Sequence, residues 1–98
     1  MAQVSAKLSG LITDQSGAAL PAATVAARNL DTGTSRAALT DQTGRYRLFA
    51  LPPGQYEVRV TKDGFAEAIR SGIRLVVGQD ASVNLSLRIG PVSQQIKV

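Results

Sequence analysis

The stretch Gln55-Tyr56-Glu57-Val58-Arg59-Val60-Thr61 decides the fold class. Apolar and polar side chains alternate through it, and successive side chains of a β-strand point to opposite faces of a sheet. The apolar set would therefore face a core while the residues between face water. The segment 82–89 repeats this pattern, so both are predicted to be half-buried strands. In segment 82–89 the predicted inward residues are Val83, Leu85, Leu87 and Ile89.

Weaker alternations predict the remaining strands, for a total of about seven. The apolar positions that mark them are Leu8, Gly10 and Ile12; Val25 and Ala27; Ala37 and Leu39; Tyr46 and Leu48; and Ile73, Leu75 and Val77. The last group belongs to a strand over 65–77 that we expect to be interrupted at Ser71-Gly72. A helix over Phe65–Arg70 is the alternative, but six residues are too few for a helix that is stable alone.

Turn-forming residues separate these segments. Asp14-Gln15-Ser16-Gly17 and Asp41-Gln42-Thr43-Gly44 are near copies, in which Asp bonds its own backbone and Gly tolerates positive φ. Pro52-Pro53-Gly54 predicts a stiff corner before the Tyr56 strand. The expected architecture is an all-β sandwich over residues 6–90 with Greek-key connections, preceded by a disordered start (1–5) and followed by a linker (91–98).

Composition argues against most kinds of active site. The 98 residues make one domain, with no cysteine for a disulfide and no histidine to act as a metal ligand or general base. The net charge of +4 is scattered, and two Tyr, two Phe and no Trp are too few for base stacking, so we expect no nucleic-acid partner. No apolar stretch approaches the ~20 residues that span a membrane, so we expect no membrane insertion of this domain.

Two sets of charged residues are candidate sites. Calcium needs several oxygens that converge on one loop, whereas each turn here offers a single carboxylate, so the aspartates are interpreted as turn formers. The aspartates concerned are Asp14, Asp31, Asp41, Asp63 and Asp80. Arg45, Arg47 and Arg59 are predicted to lie on one outward face, either as a docking patch for an anionic partner or as a solvated strand face that deters aggregation. We expect no catalytic residue, no metal and no cofactor.

Four motifs in order resemble the carboxypeptidase regulatory-like domains, which are transthyretin-like sandwiches related to the B-type repeats of collagen adhesins. The motifs are Gly10-x-Ile12-x-Asp14-x-x-Gly17, Leu20-Pro21-Ala22-Ala23-x-Val25, Thr40-Asp41-x-x-Gly44-x-Tyr46 and Leu51-Pro52-Pro53-Gly54-x-Tyr56-x-Val58. The resemblance covers about residues 6–89 and implies no enzymatic activity.

The adhesin repeats often carry an isopeptide cross-link between a lysine and an asparagine, beside a buried acid. Lys7, Asn84 and Glu57 are the residue types that this bond requires. Gly10 and Val60 occupy the positions where the pattern places the lysine and the acid, so we expect no cross-link.

The tail, with Gly78-Gln79-Asp80 and residues 90–98, resembles the copy of this domain at the N-terminus of bacterial TonB-dependent outer-membrane receptors. This implies an exported, non-catalytic accessory module at the periplasmic face of the outer membrane or at the cell surface. Its partners would be other domains of the same receptor or a periplasmic or surface protein. A stalk or adhesin-type repeat and a carbohydrate-binding module are the alternatives, and the absence of Trp counts against the latter. The oligomeric state stays open.

Overall fold

The computed structural model describes residues 5–90, and eight β-strands account for their regular structure. The strands are β1 (Ala6–Asp14), β2 (Thr24–Asn29), β3 (Ser35–Leu39), β4 (Arg45–Leu51), β5 (Gly54–Thr61), β6 (Ala68–Leu75), β7 (Asp80–Ser82) and β8 (Leu85–Leu87). No helix occurs in the described range. The predicted starting and linking segments, 1–5 and 91–98, fall outside it apart from Ser5.

The strands form two four-stranded sheets. Sheet A has the order β4-β1-β7, with β8 pairing the later part of β1, and sheet B has the order β3-β2-β5-β6. β7 and β8 run parallel to β1, while the other pairs are antiparallel. The prediction of an all-β, two-sheet sandwich is confirmed, with eight strands in place of seven.

The core lies between the sheets and follows the period-two alternation of the sequence. Tyr56, Val58 and Val60 of β5 are at most 1% exposed and face β1 and β4, whose Leu8, Ile12 and Tyr46 are similarly buried. Burial of each large apolar side chain contributes about 1.5–3 kcal/mol to folding. With no disulfide in the chain, this core is the principal source of stability.

The predicted last strand is divided in two, because residues Val83 and Asn84 leave the ladder between β7 and β8. Conversely, β6 is continuous where an interruption was expected. Ile73 pairs with Tyr56 and Arg70 pairs with Val58, so Ser71-Gly72 form a one-residue bulge rather than a break. Gly72 has a φ of 77°, which suits a bulge.

Several residues predicted to face inward face solvent instead. In β3 it is Ala38 that pairs with buried Val25, so Leu39 points outward and is 65% exposed. The pairing partner, rather than hydrophobicity, therefore sets the face of this edge strand. Val77 and Ile89 are 50% and 68% exposed, because they lie beyond the ends of β6 and β8, where no facing sheet covers them.

The described chain enters and leaves at opposite ends of the sandwich. Ser5 lies at the end where the β6–β7 turn folds back, and its carbonyl accepts a hydrogen bond from the Gly78 amide at 2.9 Å. Gly90 follows β8, which runs parallel to the later half of β1, and donates to the Gly64 carbonyl at 3.3 Å. We refer to these as the entry end, at Ser5, and the exit end, at Gly90.

Candidate interaction surfaces

Strand β7 ends at a kink, and hydrogen bonds to Val83 and Asn84 hold the kink in place. The Tyr46 phenol donates to the Val83 carbonyl at 2.7 Å. The Leu11 amide donates to Asn84 Oδ1 at 2.8 Å, so a side-chain oxygen takes the place of the backbone carbonyl that would accept this bond in a regular strand pair. A β-carbon at Gly10 would overlap the Val83 carbonyl. The kink therefore accounts for both the glycine and the tyrosine of the sequence motifs. Burial raises the pKa of the Tyr46 phenol to about 12.

The two copied tetrads adopt the same turn at the exit end. One carboxylate oxygen of Asp14 accepts from the Ser16 amide, the Ser16 hydroxyl and the Ala18 amide, at 2.8, 2.6 and 3.1 Å. Asp41 accepts from the Thr43 amide, the Thr43 hydroxyl and the Arg45 amide, at 2.9, 2.7 and 3.1 Å.

Gly17 and Gly44 take positive φ in these turns, of 92° and 79°. The hydroxyl of Ser16 lowers the pKa of Asp14, and that of Thr43 lowers the pKa of Asp41, because each hydrogen bond favours the ionised carboxylate. One oxygen of each carboxylate thus holds the backbone of its own turn.

The Pro52-Pro53-Gly54 corner lies at the entry end and is held by two buried side chains. The Tyr56 hydroxyl donates to the Pro52 carbonyl at 2.6 Å. Asn29, which is 1% exposed, accepts from the Asp31 and Thr32 amides at 2.8 and 3.1 Å, and its Nδ2 lies 3.5 Å from the Pro53 carbonyl. Asn29 was not among the predicted core residues, although its place two residues after Ala27 in the β2 alternation is the signal that indicates an inward side chain.

The aspartates weighed as calcium ligands lie in separate turns. Asp31 accepts from the Gln55 amide at 3.3 Å, and Asp80 begins β7. Among residues 5–90, no group of three carboxylates or other ligand side chains converges on a metal position.

The three residues weighed for a cross-link are held apart. Lys7 pairs with Asp80 at the start of β1, Asn84 bonds to Leu11 further along that strand, and Glu57 belongs to sheet B. The arrangement offers no lysine–asparagine contact.

The prediction that Arg45, Arg47 and Arg59 share one face is wrong. The Pro52-Pro53 corner carries the chain from β4 in sheet A to β5 in sheet B, so Arg45 and Arg47 lie on the opposite side of the sandwich from Arg59. Arg59 is also neutralised, with Nη2 at 3.7 Å from Glu57 Oε1 and Nη1 at 3.5 Å from Glu67 Oε2.

A shallow groove of about 620 Å³ opens at the exit end of sheet B. Its walls are Thr24, Thr61 and the β5–β6 connection, residues 62–67, with Ala22 at its rim. Ala22 has a φ of 59°, which is unusual for a residue with a β-carbon. Phe65 is the one aromatic residue in the walls of the groove.

In residues 5–90 no helix is present that is long and apolar enough to cross a membrane.

The sequence and the fold are similar to those of known proteins. Over 49 residues, half of this chain, the sequence is 41% identical to the TonB-dependent transporter Oar of Myxococcus xanthus, but it spans only 5% of that protein's length. The fold is similar to that of the Bacillus anthracis TIE protein, with a TM-score of 0.71, 20% identity, 89% of this chain covered and 17% of the other. It is also similar to a streptococcal ancillary pilin, with a TM-score of 0.66, 16% identity, 88% of this chain covered and 33% of the other.

The family assignment rests on a match that spans most of the chain. The family model for the carboxypeptidase regulatory-like domain matches residues 7–88, which include the kink at Val83, both aspartate turns and the proline corner. The chain therefore belongs to the carboxypeptidase regulatory-like domain family.

Proposed function

We propose that this chain is a non-catalytic interaction module of an exported TonB-dependent receptor, located at the periplasmic face of the outer membrane. The observation that carries the proposal is the 41% identity to part of the Myxococcus xanthus transporter Oar. The domain corresponds to a small part of that protein, as expected of an accessory module. Its partners are other domains of the same receptor or a neighbouring envelope protein.

The opposite positions of the entry and exit ends support this role. A domain whose neighbouring segments leave from opposite ends can be placed in series between other parts of a polypeptide and separates them by its own length. Strands β1 and β8 carry this path, because β8 continues in the direction of β1. The geometry suits a spacer whose outer faces remain available for docking.

Three side chains that could take part in chemistry are already hydrogen-bonded within the protein, which supports a non-catalytic role. The carboxylates of Asp14 and Asp41 hold their own turns, and the Tyr46 hydroxyl is committed to the Val83 carbonyl. The sequence has no histidine or cysteine to act as a general base or nucleophile near neutral pH.

A stalk repeat of a surface protein is the second candidate, and the similarity to a streptococcal ancillary pilin favours it. The entry and exit geometry is equally suitable for tandem copies. The native reading frame distinguishes the two, because tandem copies support a stalk whereas a plug and barrel support a receptor.

Cysteine labelling in the full native protein tests the location. The chain contains no cysteine, and Thr34 lies exposed in the β2–β3 turn, so Thr34→Cys provides a site for a polyethylene glycol maleimide that is too large to pass through outer-membrane porins. A periplasmic module is labelled only after the outer membrane is permeabilised. Labelling in intact cells, above the background of the unsubstituted protein, would place the domain at the surface and overturn the periplasmic proposal.

A further inference from the structure

The outer face of sheet A carries a cluster of cations that we call the basic face, consisting of Lys7, Arg45 and Arg47. Arg47 pairs with Ser9 and Arg45 pairs with Leu11, so both guanidinium groups project from β4 beside the centre of β1. Lys7 lies on the same face nearer the entry end. All three side chains are exposed.

The charges of the basic face are compensated only from its margins. In the described range, ion pairs within 4.0 Å involve only Arg59, which belongs to sheet B. Carboxylates occur only at the margins of the basic face: Asp80 beside Lys7, and Asp14 and Asp41 in the turns at the exit end. Arg45 and Arg47 therefore make the middle of the face cationic, and the nearest opposing charge is Asp41 at its margin, whose pKa the Arg47 charge helps to lower.

An exposed aromatic ring lies next to these cations. Phe49 is 57% exposed and follows Arg47 on the outward side of β4. It belongs to the bulge opposite Lys7, and its carbonyl accepts from Arg36 Nη1 at 3.2 Å, which fixes its backbone against β3. Arginine and aromatic residues are enriched at protein interfaces and at their energetic centres, so Phe49 beside two arginines is a typical anchor composition.

We propose that the basic face, with Phe49 as its apolar anchor, docks a carboxylate-rich protein surface. The inference rests on the proposed function and deepens it, because it names the face and the chemistry of the partner. Charge complementarity favours an acidic partner. The exposed Phe49 ring on a flat sheet favours a protein surface as that partner. A nucleic-acid partner is disfavoured, because three cations neutralise few phosphates and affinity for nucleic acid depends on the number neutralised.

A peptide titration followed by NMR tests the docking proposal. The probe is a short synthetic peptide of alternating glutamate and leucine, and the matching glutamine–leucine peptide is its control. The expected result is chemical-shift change confined to β4 and the start of β1, stronger at low ionic strength because exposed charges are screened over about 8–10 Å in physiological salt. Charge reversal by Arg45→Glu with Arg47→Glu weakens binding by roughly tenfold, and Phe49→Ala weakens it further.

Matched variants on sheet B separate this face from a general charge effect. Arg28→Glu with Arg74→Glu changes the net charge equally on the outer face of sheet B, and Ile69→Ala removes an apolar side chain that is 49% exposed. Both should leave peptide binding unchanged. Equal weakening by the two double variants, equal binding of the glutamine peptide, or binding to phosphatidylglycerol vesicles without binding to the peptide overturns the proposal.

The titration and the labelling experiment fail independently. The titration uses the isolated chain, so its failure removes the docking face and leaves the periplasmic location as labelling finds it. A surface location found by labelling leaves a positive titration intact. Thermal unfolding of each variant confirms that it is folded before it is titrated.

Discussion

The Tyr46 phenol and the Val83 carbonyl, 37 residues apart, are joined by a 2.7 Å hydrogen bond that passes over Gly10 on the inner face of sheet A. This bond holds the chain at the point where β7 stops and β8 has not begun. Because Gly10 leaves room for the same carbonyl, β1, β4 and the kink are fixed by one contact among three segments. The consequences of breaking this contact can be measured.

Replacing Tyr46 with phenylalanine should destabilise the fold. The ring still fills the core, but the Val83 carbonyl loses its side-chain donor in a buried position, at an expected cost of about 1–3 kcal/mol in the free energy of unfolding. Urea denaturation of the Tyr46→Phe variant measures this. An unfolding free energy equal to that of the parent would show that the carbonyl finds another donor.

Alkaline pH should weaken the fold through the same residue. Burial raises the pKa of Tyr46 from its ordinary value of 10.0 to about 12, so the folded state holds the phenolic proton more tightly than the unfolded state does. The contribution is complete below pH 10 and is lost as the pH rises from there towards 12. Between pH 10 and 12 the denaturation midpoint should fall more steeply for the parent than for Tyr46→Phe. An equal fall in both proteins would show that ionisation of Tyr46 does not cause the alkaline loss of stability.

Adding a β-carbon at Gly10 should disrupt the kink. The backbone at Gly10 does not have positive φ, so the effect of Gly10→Ala is a steric conflict with the Val83 carbonyl and the Tyr46 ring, without backbone strain. Overpacking of this kind costs about 1–3 kcal/mol. Ser9→Ala, one residue earlier and facing outward, is the matched control and should change the unfolding free energy little. Equal effects of the two changes would show that the close approach is not required.

Local sequence patterns determine which parts of this structure could be predicted. The alternation at Tyr56, Val58 and Val60 identified the core face of β5, because each strand side chain is placed by its own neighbours. The faces of Leu39 and of Arg59 depend on which strand pairs with β3 and on which sheet receives β5. Those are long-range choices that no local alternation contains, so the predicted arginine patch was wrong although its outward directions were right.

Acid should weaken the two aspartate turns. Hydrogen bonds from Ser16 and Thr43 lower the pKa values of Asp14 and Asp41 below their ordinary value of 3.8. Their contribution to stability is therefore complete above about pH 4 and is lost as the pH falls through the lowered folded values. Asp14→Asn with Asp41→Asn keeps an acceptor oxygen at each turn but cannot titrate. Its midpoint of unfolding should change less with acid than that of the parent, and an equally steep change would assign the acid sensitivity to other groups.

Replacing Ala22 or Ala50 with glycine should stabilise the fold. Ala22 and Ala50 have φ of 59° and 57°, the left-handed region in which a β-carbon is unfavourable by about 1–2 kcal/mol. Ala22 follows Pro21 in a tight turn, and Ala50 is in the bulge of β4 opposite Lys7. The added freedom of glycine in the unfolded chain costs about 0.5–1 kcal/mol, so each substitution should stabilise the fold by a net amount of up to about 1.5 kcal/mol. Ala26→Gly, in the ordinary strand backbone of β2, is the control and should destabilise by about 0.5–1 kcal/mol. Thermal unfolding of the three variants gives the signs, and a loss of stability at Ala22 and Ala50 equal to that at Ala26 would contradict the left-handed backbone at those positions.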